Sequence, residues 1–342
     1  MTFHLFLVHS FLANNNANVQ LARERCAPED IHGPSKLDDP MIDDVNVTMD
    51  TSPPSEQPVG KYVLMDDSGD LVVPRRRRSC MHHVGTKECT IIIHHHVKTT
   101  LTYVGLQVWK ASLLLGDFLL HKMQTTCELN DVIGLELGAG TGILGILLAA
   151  KARLVYLTDL DVDVLDNCYR NLLLNSQKSK KIAKTLRIRQ LNWLDSWPPN
   201  AGCNDEETST NSQSFLYSWC KADLEELENL KVILAADVIY SDSLTDAFFN
   251  LLRKLMPIGS QRLLWLALEK RFNFSVSELD AVANGYSHFL SFFEDRTDGL
   301  AVEGHQGCKN FAGKQLQLNQ VPQYIQEYER TKDLELWEIW RI

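Results

Sequence analysis

The sequence predicts an α/β protein built on a mostly parallel sheet, and three observations carry that reading. The glycine-rich run Leu135 to Gly145, with Gly138-Ala139-Gly140-Thr141-Gly142 at its centre, follows the short apolar stretch Val132-Ile133 and leads into Ile146 to Ala150. That order reads as strand, tight turn and helix. Val232 to Ala236 and Leu263 to Leu268 are continuous apolar runs without polar alternation, as expected of strands buried on both faces. Between them lie stripes at helical spacing: Val162, Leu165, Tyr169, Leu172 and Leu173, then Leu244, Ala247, Phe248, Leu251, Leu252 and Leu255.

Read in order, residues 1–90 form a low-complexity leader expected to be disordered. They contain Asn14-Asn15-Asn16, the acidic pairs at 38–39 and 43–44, and Ser52-Pro53-Pro54-Ser55. Met1 to Ala13 lack the basic start of a secretory signal, and His4, His9 and Ser10 interrupt their apolar run. Arg75-Arg76-Arg77-Arg78 reads either as a nuclear-import patch or as a solvated charge run. Residues 91–342 carry the folded domain. Thr90 to Ile93 reads as strand and Val108 to Leu120 as helix. Leu154 to Thr158 reads as strand, followed by a helix capped by Asp161. Leu186 to Leu191 is a further strand despite its basic residues. Residues 203–221, rich in Ser, Thr and Asn, read as a polar surface insertion, and Ser243-x-x-Asp246 opens the next helix.

Composition narrows the partners. A formal charge of −10 over 342 residues argues against direct nucleic-acid binding and suits a cationic partner surface. No apolar stretch reaches membrane-spanning length, and eight cysteines without paired spacing suggest reduced thiols. Cys80, His82, His83, Cys89 and His94 to His96 match no standard zinc spacing, so no metal is expected.

The glycine spacing selects the ligand. A dinucleotide site wants G-x-G-x-x-G, but the position its third glycine would take is Ile143. Glu136 stands two places before the first glycine, where it suits a cofactor bearing an ammonium and a sulfonium better than one bearing two phosphates. The second strand ends in Asp159, placed to accept hydrogen bonds from both hydroxyls of an adenosyl ribose. The run Glu136 to Gly142 resembles motif I of S-adenosylmethionine (SAM) methyltransferases.

Further segments resemble one family, the seven-β-strand protein-lysine methyltransferases of methyltransferase family 16. Val104-Gly105-Leu106-Gln107-Val108-Trp109 matches its G-x-x-x-W segment. Leu191-Asn192-Trp193 matches its L-D-W segment, with Asn192 where the family has Asp. Ala236-Asp237-Val238-Ile239-Tyr240 carries its D-x-x-Y. Glu269 to Phe274 and Tyr328-Glu329-Arg330 resemble one branch of it. The resemblance covers Thr100 to the C-terminus.

It implies a Rossmann-like, seven-stranded SAM-dependent methyltransferase fold with one antiparallel strand in a mostly parallel sheet and helices on both faces. It implies a cofactor site of Trp109, Glu136, Gly138, Ala139, Gly140, Asp159, Trp193 and Ala236. Asp237 and Tyr240 would line the channel for a target lysine and steer its amine. The implied substrate is a protein presenting a lysine, with chaperones or nucleic-acid-associated proteins as partners, for a monomer in the nucleus or cytoplasm. A silent SAM-binding scaffold, or a methyltransferase with a non-protein acceptor, is the alternative.

Overall fold

The computed structural model describes residues 2–10, 88–97, 101–177, 179–201, 216–275, 280–293 and 310–342. Its centre is a seven-stranded sheet. In chain order its strands are β3 (Ile133–Leu137), β4 (Leu154–Asp159), β5 (Leu186–Gln190), β6 (Leu230–Ala236), β7 (Leu263–Glu269), β10 (Phe311–Gln315) and β11 (Leu334–Arg341). They lie side by side as β10-β11-β7-β6-β3-β4-β5. The chain runs outward from β3 through β4 to β5, then returns across β3 to continue through β6 and β7. Only the two pairings made by β11 are antiparallel, so one strand opposes six.

Alternation along the strands builds two cores. In β6, Val232 and Leu234 join one hydrophobic cluster and Ile233 and Ala235 the other. In β7, Trp265 and Ala267 face one way, and Leu264, Leu266 and Leu268 the other. The first cluster is covered by α1 (Lys110–Thr125), α2 (Ile143–Leu148) and α3 (Val162–Ser176). After the short α4 (Lys180–Thr185) and α5 (Lys221–Leu227), α6 (Asp242–Leu255) and α7 (Asn284–Leu290) cover the second. Burial on both faces explains why these strands lack polar alternation.

Several expectations are refined. Asp161 caps α3 as expected, its side chain accepting from the Asp163 N–H at 2.8 Å. Helix α6 starts one residue before Ser243, at Asp242, and Ser243 makes no cap; its hydroxyl meets Ser241 Oγ at 3.2 Å. Helix α1 begins at Lys110 and runs on to Thr125.

Two short segments of the expected leader are described, one at each end. Thr2–Ser10 forms a strand, β1, paired in parallel with β2 (Glu88–His96), so the ordered region crosses the expected boundary at residue 90. The apolar residues of both segments supply the β propensity. The rest of the leader, including Arg75 to Arg78, lies outside the described residues. The end of the expected insertion is also no surface: Tyr217 and Trp219 are buried. The Tyr217 hydroxyl donates to Asp166 Oδ1 at 2.7 Å, and Trp219 Nε1 donates to the Gln190 carbonyl at 2.8 Å. Residues 202–215 lie outside the described set.

Strand β2 is held by a side-chain ladder on α3. Asn175 accepts from the Ile92 N–H at 2.9 Å and donates to its carbonyl at 2.7 Å. Asn171 does the same for His94 at 2.7 and 3.0 Å, and Asn167 also donates to the His94 carbonyl. Asparagines at i, i+4 and i+8 share one helix face, so they act as a neighbouring strand would. The His94 imidazole meets Asn167 Oδ1 at 2.7 Å, and burial pushes its pKa down to about 4. It is thereby a neutral, structural side chain.

Candidate active site

A cavity opens at the carboxyl ends of β3, β4, β5 and β6, where the strand order reverses. Open α/β sheets bind ligands at that switch point. All eight residues expected to hold the cofactor line it, and so do Asp237 and Tyr240.

Glu136 lies on β3, 2% exposed, and its Oε2 accepts from the Gly145 N–H at 2.8 Å. It therefore holds the start of α2 against the strand. Burial pushes its pKa up to about 8; the Gly145 hydrogen bond opposes this and the nearby Asp159 charge adds to it. Gly145 also serves packing, since a β-carbon there would strike Leu157. This is the close helix–strand contact that a dinucleotide fold assigns to its third glycine, moved two residues along.

Asp159, at the end of β4, accepts from the Gly140 N–H at 3.0 Å and the Leu160 N–H at 2.8 Å. Gly140 has φ +53, and a β-carbon on it would lie 2.9 Å from the Gly105 carbonyl oxygen. A side chain there would be strained and crowded at once. Gly105 thus closes the loop from the far side, a role the G-x-x-x-W segment held without showing it. Burial raises the Asp159 pKa, against the pull of these backbone donors.

The other end of the cavity is apolar. Leu160, Leu191 and Trp193 line it, and Trp193 leans on Phe248 with ring centres 5.2 Å apart. Asn192 turns its amide to the loop, accepting from Leu194 N–H at 3.1 Å and donating to Asp195 Oδ1 at 3.2 Å. Trp109, at the N-cap position of α1, is fixed by its Nε1 donating to the Val104 carbonyl at 3.1 Å.

Ala236 ends β6, and Asp237 follows with φ +58, its N–H donating to the Ala267 carbonyl at 2.9 Å. A positive φ is uncommon outside glycine and aims this carboxylate away from the strand direction. Asp237 is 8% exposed and pairs with Arg271; burial raises its pKa and the guanidinium lowers it. Tyr240 is 53% exposed at the mouth. Burial raises its pKa, the Asp159 charge adds to that, and Arg271 opposes it.

The lining contains three carboxylates, Glu136, Asp159 and Asp237, and no lysine or arginine among the described residues. A pyrophosphate would find no free cation among these lining residues, and the Arg271 guanidinium beside them is paired with Asp237. A ligand with vicinal hydroxyls, an aromatic base and positive charge finds acceptors, an apolar slot and carboxylates. The residues fit SAM.

This seven-stranded order with one reversed strand, carrying this cavity at its switch point, is the fold of the Rossmann-like SAM-dependent methyltransferases. A family model described as lysine methyltransferase matches residues 87–208. Methyltransferase-like protein 22 of Mus musculus is 33% identical over 288 residues, which cover 84% of this chain and 66% of that protein. Its Homo sapiens counterpart is 34% identical over 257 residues, covering 75% and 58% respectively. Protein-lysine N-methyltransferase rrg1 of Schizosaccharomyces pombe is 27% identical over 196 residues, covering 56% and 55%. The chain belongs to this lysine methyltransferase family. It spans somewhat less than two thirds of the length of the mouse and human relatives.

Proposed function

We propose that this chain is a SAM-dependent N-methyltransferase acting on a lysine side chain of a protein substrate. The observation that carries the reading is a cavity whose described lining holds Glu136, Asp159 and Asp237 and neither lysine nor arginine, with Tyr240 exposed at its mouth. Bound SAM supplies an electrophilic methyl group on a sulfonium, whose C–S bond breaks as the amine nitrogen bonds to carbon.

The chain's own residues do the rest. Asp159 holds the ribose hydroxyls and Trp193 flanks the adenine. Glu136 and the Gly138 to Gly140 backbone hold the amino-acid end, and Trp109 closes the wall. Lysine, of pKa about 10.4, is a nucleophile only after losing its proton to water. Asp237 and Tyr240 supply oxygen acceptors that orient the amine on the methyl carbon, so positioning dominates the rate gain.

One of the relatives named above is a protein-lysine N-methyltransferase, which supports a protein acceptor. We extend the proposal to a monomer working in the nucleus or cytoplasm on chaperones or nucleic-acid-associated proteins. Incubation with methyl-tritiated SAM and a cell extract tests it. A labelled protein band that Asp237→Ala abolishes is the expected result. Label confined to RNA or small molecules refutes the acceptor, and SAM binding with no transfer favours a scaffold.

A further inference from the structure

Asp237 does not wait for substrate as a bare anion. Arg271, two residues beyond β7, places Nη2 2.5 Å from Asp237 Oδ2. Its guanidinium carbon lies 4.9 Å from the centre of the Trp109 ring. The carboxylate is 3% exposed and the arginine side chain 43%, so the cation covers the acid from the solvent side. Arg271 thus ties two walls of the cavity, the end of β6 and the start of α1. The other charges around this mouth are already paired or remote. Lys110 and Glu269 bind each other at 3.1 Å, and Asp159 holds the glycine loop. Tyr240 feels both Asp159 and Arg271.

We propose that Arg271 is a positioning residue that cancels the charge of Asp237, so that the acceptor enters the site as a neutral amine. This rests on the lysine reading above. A buried, unpaired carboxylate attracts an ammonium and raises its pKa, which ties the nucleophilic lone pair to a proton. With Asp237 already paired, an arriving ammonium meets a guanidinium and gains no net counter-charge. It sheds its proton to water, and the free lone pair then attacks the methyl carbon. Arginine suits the task because it does not lose its own proton, and the Trp109 face fixes its plane.

The test uses the full chain saturated with S-adenosylhomocysteine and, as probe, n-butylamine at pH 7.5, where it is an ammonium. Arg271→Gln is expected to bind the probe at least tenfold more tightly than wild type. Arg271→Lys keeps the positive charge and should bind as weakly as wild type. Adding Asp237→Asn to Arg271→Gln should erase the gain. In the tritium assay, Arg271→Gln should lose far more transfer at pH 7.5 than at pH 9.5, and Arg271→Lys should recover the pH 7.5 rate. Equal probe affinity in wild type and Arg271→Gln overturns the assignment, as does an equal loss of transfer at both pH values. Absence of protein label with the wild-type chain is a separate result, which refutes the methyl-transfer reading itself.

Discussion

Glu136→Gln tests how the glycine loop is held. In the folded chain the Glu136 carboxyl is buried and its pKa is pushed up from 4.5 to about 8. The native state therefore keeps a proton that the unfolded chain releases between those two values. Where the native state binds more protons, stability falls as pH rises. The loss begins near the unfolded pKa and is complete once pH passes about 8. At about 1.36 kcal/mol per pH unit, the window is worth at most about 5 kcal/mol.

Glutamine keeps the shape and can still accept from the Gly145 N–H, which Glu136 meets at 2.8 Å. It carries no charge to desolvate, but its NH2 group is a new buried donor, at a cost of about 1–3 kcal/mol. The variant should therefore be within about 1–3 kcal/mol of wild type at pH 5 and more stable by roughly 2–4 kcal/mol at pH 8.5. Urea unfolding of the ligand-free chains at pH 5, 6.5 and 8.5 reads this directly. Parallel pH profiles for the two proteins would show that Glu136 is not the titrating group and refute the argument.

Two further predictions concern the frame. Asp117 is fully buried in α1, and its carboxylate accepts from the Tyr324 and Ile325 N–H groups at 2.8 Å, and from the Tyr328 hydroxyl and Arg330 at 2.6 Å. Asp117→Ala leaves the arginine without its buried partner and should lower stability by about 3–5 kcal/mol in chemical denaturation. Asn171 bonds both backbone groups of His94 and also donates to the Thr141 carbonyl in the glycine loop at 2.9 Å. Asn171→Ala should cost roughly 2–4 kcal/mol and speed amide exchange at His94. It should also weaken S-adenosylhomocysteine binding in calorimetry, whereas Asn175→Ala, which bonds only Ile92 and its own helix, should leave that binding unchanged.

The cofactor half of the site was legible because it is local. Glu136, Gly138, Gly140 and Asp159 sit on two consecutive strands and the turn between them, and spacing alone fixes which ends face the ligand. What stayed hidden depends on contacts between distant segments. Asn167, Asn171 and Asn175 gave no signal of their role, since their partner strand lies more than seventy residues away. Asp117 gave no signal within its helix, because its donors Tyr328 and Arg330 lie over two hundred residues on. Tyr217 and Trp219 were masked by the polar composition around them.

The same contrast divides the cavity by function. Its cofactor end is drawn largely from one run of sequence, from Glu136 through Asp159 and on to Trp193. Its other end brings together Trp109, Asp237 and Arg271 from the start of α1, the end of β6 and the loop after β7. No one of these elements can move without breaking a contact to another.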